Sequence, residues 1–256
     1  MRPLAVVLLL AVAPNLSAQD LNGHLGAGDA ARCRRSGEEA LGHYRAALAL
    51  DSMHYEANWK TSQMLVDVGK LLPEAQRARR DSLYTEAVAL AQRAVRANSQ
   101  GADGHFMVAV ATGRMALTKG PRERVRYANV VRESALRAIE LDPRHGGALH
   151  VLGRWNAEVM RLPALTKMFA KAFLGASVFN QASWSNAEQY FDQAIGLEPN
   201  NIYHHLDLAE TLVDSRSAGR AVTHLELVAQ LPLGCDPADP TYKQQAAELL
   251  RRISRQ

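Results

Sequence analysis

The sequence predicts an all-α chain built from stacked helix pairs, a right-handed superhelix rather than a globule around one core. Three observations predict it. A constant interval of 22 residues separates an alanine or valine that opens one helix from a small residue in the next: Ala40 to Ser62, Ala87 to Ala109, Val131 to Gly153 and Ala187 to Ala209. The helix breakers Pro73, Gly101, Pro121, Pro143, Pro163, Pro199, Pro232 and Pro240 fall at the joints this register implies. No strand-like alternation of apolar and polar residues persists beyond a few positions.

The interval is the fixed half of a tetratricopeptide repeat (TPR), whose second helix carries alanine, an aromatic, alanine and proline in a set order. Ala40, Tyr44, Ala47 and Ser52 match with serine in place of proline. Ala87, Ala91, Ala94 and Ser99 keep the alanines without the aromatic. Val131, Ala135, Ala138 and Pro143 follow, then a full match at Ala187, Phe191, Ala194 and Pro199. Ala221, Leu225, Val228 and Pro232 read as a degenerate last copy. Small residues recur because helices approach to about 8–9 Å only where side chains are short. The other half of the repeat should take 12 residues, yet Ser62 to Ala87, Ala109 to Val131 and Gly153 to Ala187 take 25, 22 and 34. Insertions inside three helix pairs are therefore expected, projecting from one edge. The expected architecture is a TPR-type α-solenoid over 19–256, four to five helix pairs and a C-terminal capping helix, with ten to twelve helices in all. The third insertion, with Leu162, Leu165, Met168, Phe169, Ala172, Phe173 and Leu174, suits an extra amphipathic helix packed back on the array.

Residues 1–18 form a separate segment. Arg2 precedes an apolar run from Leu4 to Ala13, and Leu16-Ser17-Ala18 offers a cleavage site. The run is too short for a ~30 Å hydrocarbon core. A bacterial-type signal peptide is expected, with export to the periplasm or outer surface and structure beginning near Leu21. Cys33 and Cys235 fall at opposite ends of the array, so free thiols are expected unless the superhelix curls nearly closed.

Composition does not select a chemistry. The formal net charge is +4, and the arginine clusters at Arg77, Arg79 and Arg80 and at Arg122, Arg124, Arg126 and Arg132 are interleaved with acids. They read as solvated helix faces, so no nucleic acid is expected and membrane contact is not favoured. Metalloprotease, Walker, nucleophile-elbow and paired CxxC motifs are absent. Gly26-Ala27-Gly28-Asp29 resembles a dinucleotide loop but lacks a preceding strand, and reads as a flexible lead-in with Asp29 capping the first helix. Adjacent His204 and His205 point about 100° apart on a helix and cannot chelate as an i, i+4 pair does. No catalytic residue, metal or cofactor is expected.

The stretch from Ala138 to Trp155 (AIELDPRHGGALHVLGRW), with LTKGPRERVRYANVV, AEQYFDQAIGLEPN and LPLGCDPAD, resembles the regulator of microtubule dynamics family. The resemblance runs from about Ala40 to Leu250. It implies a helical scaffold with protein partners, and tubulin or membrane-contact roles as in eukaryotic members. The expected function is a non-enzymatic scaffold holding a peptide or protein in the concave groove, with a structural subunit of an envelope assembly as the alternative. First-helix positions that face such a groove are Trp59, Lys60, Phe106, Arg114, His150, Arg154, Tyr203 and Asp207. Trp155 is expected to pack inward between units. Neither the partner nor the oligomeric state is specified by the sequence.

Overall fold

The computed structural model describes residues 16–163 and 177–255. Eleven α-helices and no strands occur among the described residues: α1 Leu16–Cys33, α2 Gly37–Leu50, α3 Tyr55–Leu71, α4 Arg77–Ala97, α5 Ala102–Ala116, α6 Pro121–Leu141, α7 Gly146–Arg161, α8 Trp184–Leu197, α9 Ile202–Asp214, α10 Ala218–Gln230 and α11 Asp239–Ile253. Short 3-10 turns sit at Glu74–Gln76 and Ser177–Gln181. Helices α1 to α10 pack as consecutive antiparallel pairs, and α11 closes the array against α9 and α10. This is a TPR α-solenoid.

The small residues occupy the environment their spacing requires. Ala40, Ala47, Ala87, Ala94, Ala138, Ala187, Ala194, Ala209, Ala221 and Ser62 are fully buried between helices. A Cβ on Gly153 would stand 3.0 Å from the Phe191 ring, so even an alanine there would require the ring to give way where α7 meets α8. Gly28 makes the same close approach to Tyr44, where an added Cβ would collide with the ring. Gly28 lies 12 residues before Ala40, the consensus distance, and so opens a complete first unit ahead of the four intervals of 22. Asp29 consequently does not cap a helix or follow a flexible lead-in. It lies inside α1, accepting from Tyr44 Oη at 2.8 Å and from Lys60 Nζ at 2.6 Å. Helix α1 begins at Leu16, and Leu21 is its first buried side chain among those described.

The first two insertions lengthen helices instead of forming loops. Helices α2, α8 and α10 begin three residues before their opening alanines, whereas α4 and α6 begin ten residues before Ala87 and Val131. The extra turns are anchored. Gly69 near the end of α3 lies against Tyr84 of α4, and Arg124 of α6 donates to the carbonyls of Leu117 and Lys119 after α5. Most of the third insertion, 164–176, lies outside the described residues. Leu162 and Phe179 flank it and join a cluster with Trp155. Trp155 is buried as expected, its Nε1 donating to Ala128 O at 2.8 Å.

Local signals set the helix ends. His54 and His145 are N-caps whose Nδ1 atoms each accept from a backbone amide at 3.2 Å, in equivalent turns that follow Asp51 and Asp142. Asn201 caps α9 by accepting from the amides of Tyr203 and His204. Arg35 and Arg216 end α1 and α9 in the left-handed region, at φ 61° and 64°. These are corresponding positions of the two units without an insertion, so one tight turn is built twice from the same backbone geometry.

The expectation of free thiols fails. Cys33 and Cys235 form a disulfide with Cα atoms 4.0 Å apart. The superhelix curls far enough that the turn after α1 meets the segment before α11. Around the bond, Arg35 donates to Gly234 O at 3.3 Å and Lys70 contacts the Asp236 carboxylate at 3.3 Å. The array is a closed ring joined across its two ends.

Candidate functional site

Ring closure turns the inner face into a cleft of about 540 Å³ lined from α3, α4, α5, α7, α9 and α11. Its inner wall is a polar cluster carried at one-turn spacing along α7 and α9. Arg154 donates from Nη1 to Asp207 Oδ2 at 2.7 Å and to Tyr203 Oη at 2.6 Å. The Asp207 carboxylate is almost wholly buried, and burial alone would raise its pKa, but the Arg154 guanidinium holds it well below the usual carboxylate range. Asp207 in turn raises Arg154 further above its ordinary value.

Behind this pair stands His150, whose Nε2 lies 3.2 Å from Asp207 Oδ2 without hydrogen-bond geometry. Burial pushes its pKa down to about 4, so the ring is neutral near pH 7 despite that carboxylate. Its Nδ1 meets His204 Nδ1 at 2.9 Å, and His204 Nε2 meets Glu198 at 3.1 Å. These histidines hold helices together, and no group of three or more potential metal ligands converges among the described residues.

The opposite wall comes from the ends of the array. Lys70 Nζ, at the end of α3, contacts Asp67 at 2.8 Å and donates to Tyr242 Oη of α11 at 3.2 Å. Burial would lower the Lys70 pKa, but Asp67 and Asp236 keep it raised. Tyr242 stacks on Tyr203, ring centroids 4.4 Å apart and planes within 12°. Burial pushes the Tyr242 phenol up, so it stays protonated. The closing helix thus rests on the same tyrosine that Arg154 holds.

Four of the eight residues selected from sequence, Arg114, Arg154, Tyr203 and Asp207, line this cleft. The other four do not. Trp59 packs against the N-terminal core, and Lys60 is held by Asp29 and by Glu56 at 2.6 Å. Phe106 packs tilted against His145, ring centroids 4.6 Å apart, and covers Gly147, and His150 is buried behind Asp207. Sequence reasoning missed Lys70, Tyr84, Glu210 and Tyr242. Lys70 lies in the extended end of α3, outside the consensus, Tyr84 stands at the start of the consensus second helix and not on a first helix, and Tyr242 reaches the cleft only through ring closure. The arginine clusters are largely spent on local contacts. Arg79 pairs with Glu38, Arg80 with Glu74 at 2.9 Å, and Arg132 lies over the Trp155 ring.

Residues 27–254 match the model of the regulator of microtubule dynamics proteins 1–3. The chain belongs to this family. It is 24% identical over 205 residues to regulator of microtubule dynamics protein 1 of Bos taurus, covering 80% of this chain and 63% of that protein. With regulator of microtubule dynamics protein 3 of Rattus norvegicus it shares 27% identity over 141 residues, 55% of this chain and 29% of the relative. The chain therefore spans less than two thirds of these relatives' length. A thermophilic TPR protein of Thermus thermophilus superposes with a TM-score of 0.65 at 17% identity, over 90% of this chain and 99% of that one. At that identity the likeness shows the fold alone.

Proposed function

We propose that the chain is a non-enzymatic scaffold, exported through a cleavable signal at 1–18, that holds a peptide or protein segment against its concave cleft. The observation that carries this reading is the convergence of Arg114, Arg154, Tyr203 and Asp207, from three first helices, on one open cleft. Arginine and tyrosine are the residue types that supply interface energy, and here a supporting shell already holds Arg154 and Tyr203 in place. Export is supported by the Cys33–Cys235 bond, since disulfides persist in oxidising compartments. No helix among the described residues is long and apolar enough to cross a membrane.

Capture from cell extract with the 19–256 chain, in parallel with an Arg114→Ala/Tyr84→Ala variant, tests the binding reading. A specific protein retained by the first and lost from the second supports it. Retention of nothing, or of the same proteins by both, refutes it. Intact mass of the chain recovered from the producing cell should correspond to a start at Gln19, and an uncleaved Met1 chain would refute export.

A further inference from the structure

Each cation along the cleft but one has a carboxylate. Lys70 has Asp67 and Asp236, Arg80 has Glu74, Arg154 has Asp207, and Arg77 lies 3.9 Å from Asp81. Arg114 has none among the described residues. It sits deep in the cleft, enclosed by protein on most sides, and its one hydrogen bond is from Nη2 to Tyr203 Oη at 3.2 Å. The titratable groups acting on it most strongly are the phenols Tyr203, Tyr242 and Tyr84 and the like-charged Arg154. A guanidinium offers five N–H donors, so most of its capacity is unused. Removing such an ion from water without a counter-charge is unfavourable, and an anionic ligand would offset that cost.

Tyr203 has a matching surplus. Its oxygen accepts from both Arg114 and Arg154, which uses both lone pairs and leaves its O–H as a donor. No acceptor for that proton occurs among the described residues. An unpaired guanidinium and a free phenol O–H therefore stand at hydrogen-bonding distance from each other on the cleft wall, a donor pair suited to an oxyanion.

We propose that the cleft is a carboxylate-binding site in which Arg114 and the Tyr203 hydroxyl hold a monoanionic carboxylate borne by the ligand. This deepens, and rests on, the scaffold reading, since the carboxylate would belong to the bound segment. Charge selects carboxylate over phosphate. Arg114 alone among the cleft cations lacks an ion-pair partner among the described residues, and Glu210, which lines the same cleft with no pairing cation there, opposes the second negative charge of a phosphate dianion. Leu71, Leu117 and Ala238 on the wall suit an apolar body behind that carboxylate.

Titration of the disulfide-intact 19–256 chain with benzoate, benzamide and inorganic phosphate tests this, with affinities of parent and variants measured by calorimetry and the site located in the parent through the Arg114 Nε–H signal in proton–nitrogen spectra. Benzoate should shift that signal saturably, benzamide should not, and phosphate should bind at least tenfold more weakly. Arg114→Gln should weaken benzoate at least tenfold, while Arg45→Gln, on an outer helix face, should not. If Arg114→Gln does not fold, Arg114→Lys serves as the variant, and its affinity should also fall at least tenfold because the planar fork is lost. No saturable benzoate shift overturns the proposal, as does equal binding by the variant, and phosphate binding more tightly than benzoate overturns the carboxylate assignment. The probes need no protein partner. Benzoate binding with no captured protein would sink only the scaffold reading, and the reverse result would sink only the carboxylate site.

Discussion

Breaking the Cys33–Cys235 bond tests ring closure directly. The crosslink spans 202 residues of sequence, so in the oxidised chain it removes a large share of the unfolded state's freedom. The chain-entropy relation for a loop of that length gives about 5 kcal/mol at 25 °C, an upper figure because residual unfolded-state structure reduces it. Among the described residues, the polar contacts that bridge the two ends besides the bond are Lys70 with Asp236 and Tyr242, and Arg35 with Gly234 O. The Cys33→Ser/Cys235→Ser variant should therefore fold, because each helix pair buries its own seam, but with a urea midpoint corresponding to a loss of about 3–5 kcal/mol. Urea titration by circular dichroism, with and without reductant, measures this, and small-angle scattering should show the variant more extended. A change below about 0.5 kcal/mol, with scattering curves that superpose, would refute the claim that the bond holds the ring shut.

Further outcomes follow from the cleft and the turns. Asp207→Ala leaves the Arg154 guanidinium without its carboxylate and should cost about 3 kcal/mol in urea titration, with the Tyr203–Tyr242 stack loosened in the near-ultraviolet circular dichroism. Acid should destabilise the fold between pH 7 and pH 5. His150 is pushed down to about 4 by burial, and His205 and His224 are lowered for the same reason, so the unfolded chain binds protons there that the folded one does not. With an unfolded value near 6.5, His150 alone should contribute a loss of about 2 kcal/mol at pH 5 relative to pH 7. Glu210, raised by burial, works in the opposite direction, so the test is a shallower pH slope of stability in His150→Asn. Arg216→Gly removes a side chain from a left-handed position and should raise the thermal midpoint, by about 0.5–1 kcal/mol in stability, and an unchanged or lower midpoint would contradict the backbone argument.

The repeat register was legible because close helix packing demands small residues at fixed stations, and such stations survive as spacing. Ala40 to Ser62 and Ala187 to Ala209 reported positions that are in fact buried between helices. The first unit is also written in the sequence, in the 12 residues from Gly28 to Ala40, but Gly28 equally fits a glycine-rich loop, and only its contact with Tyr44 decides between the two. The groove residues were legible only by half. Counting along a repeat shows which side of a helix a residue occupies, and Arg114, Arg154, Tyr203 and Asp207 followed from that. It does not show which neighbour arrives first. Lys60 found Asp29, Phe106 found His145, and His150 was covered by Asp207 and His204.

The sequence by itself determined an all-helical array, its register and the places where the repeat is interrupted, because those depend on contacts between neighbouring segments. It did not determine the curvature of the array. Each unit adds a small rotation, and only their sum over five helix pairs brings Cys33 to Cys235 and Lys70 to Tyr242. The tertiary structure decided that the ends meet. With that it decided that the inner face is a bounded cleft and that Arg114 lies within it with no carboxylate beside it among the described residues.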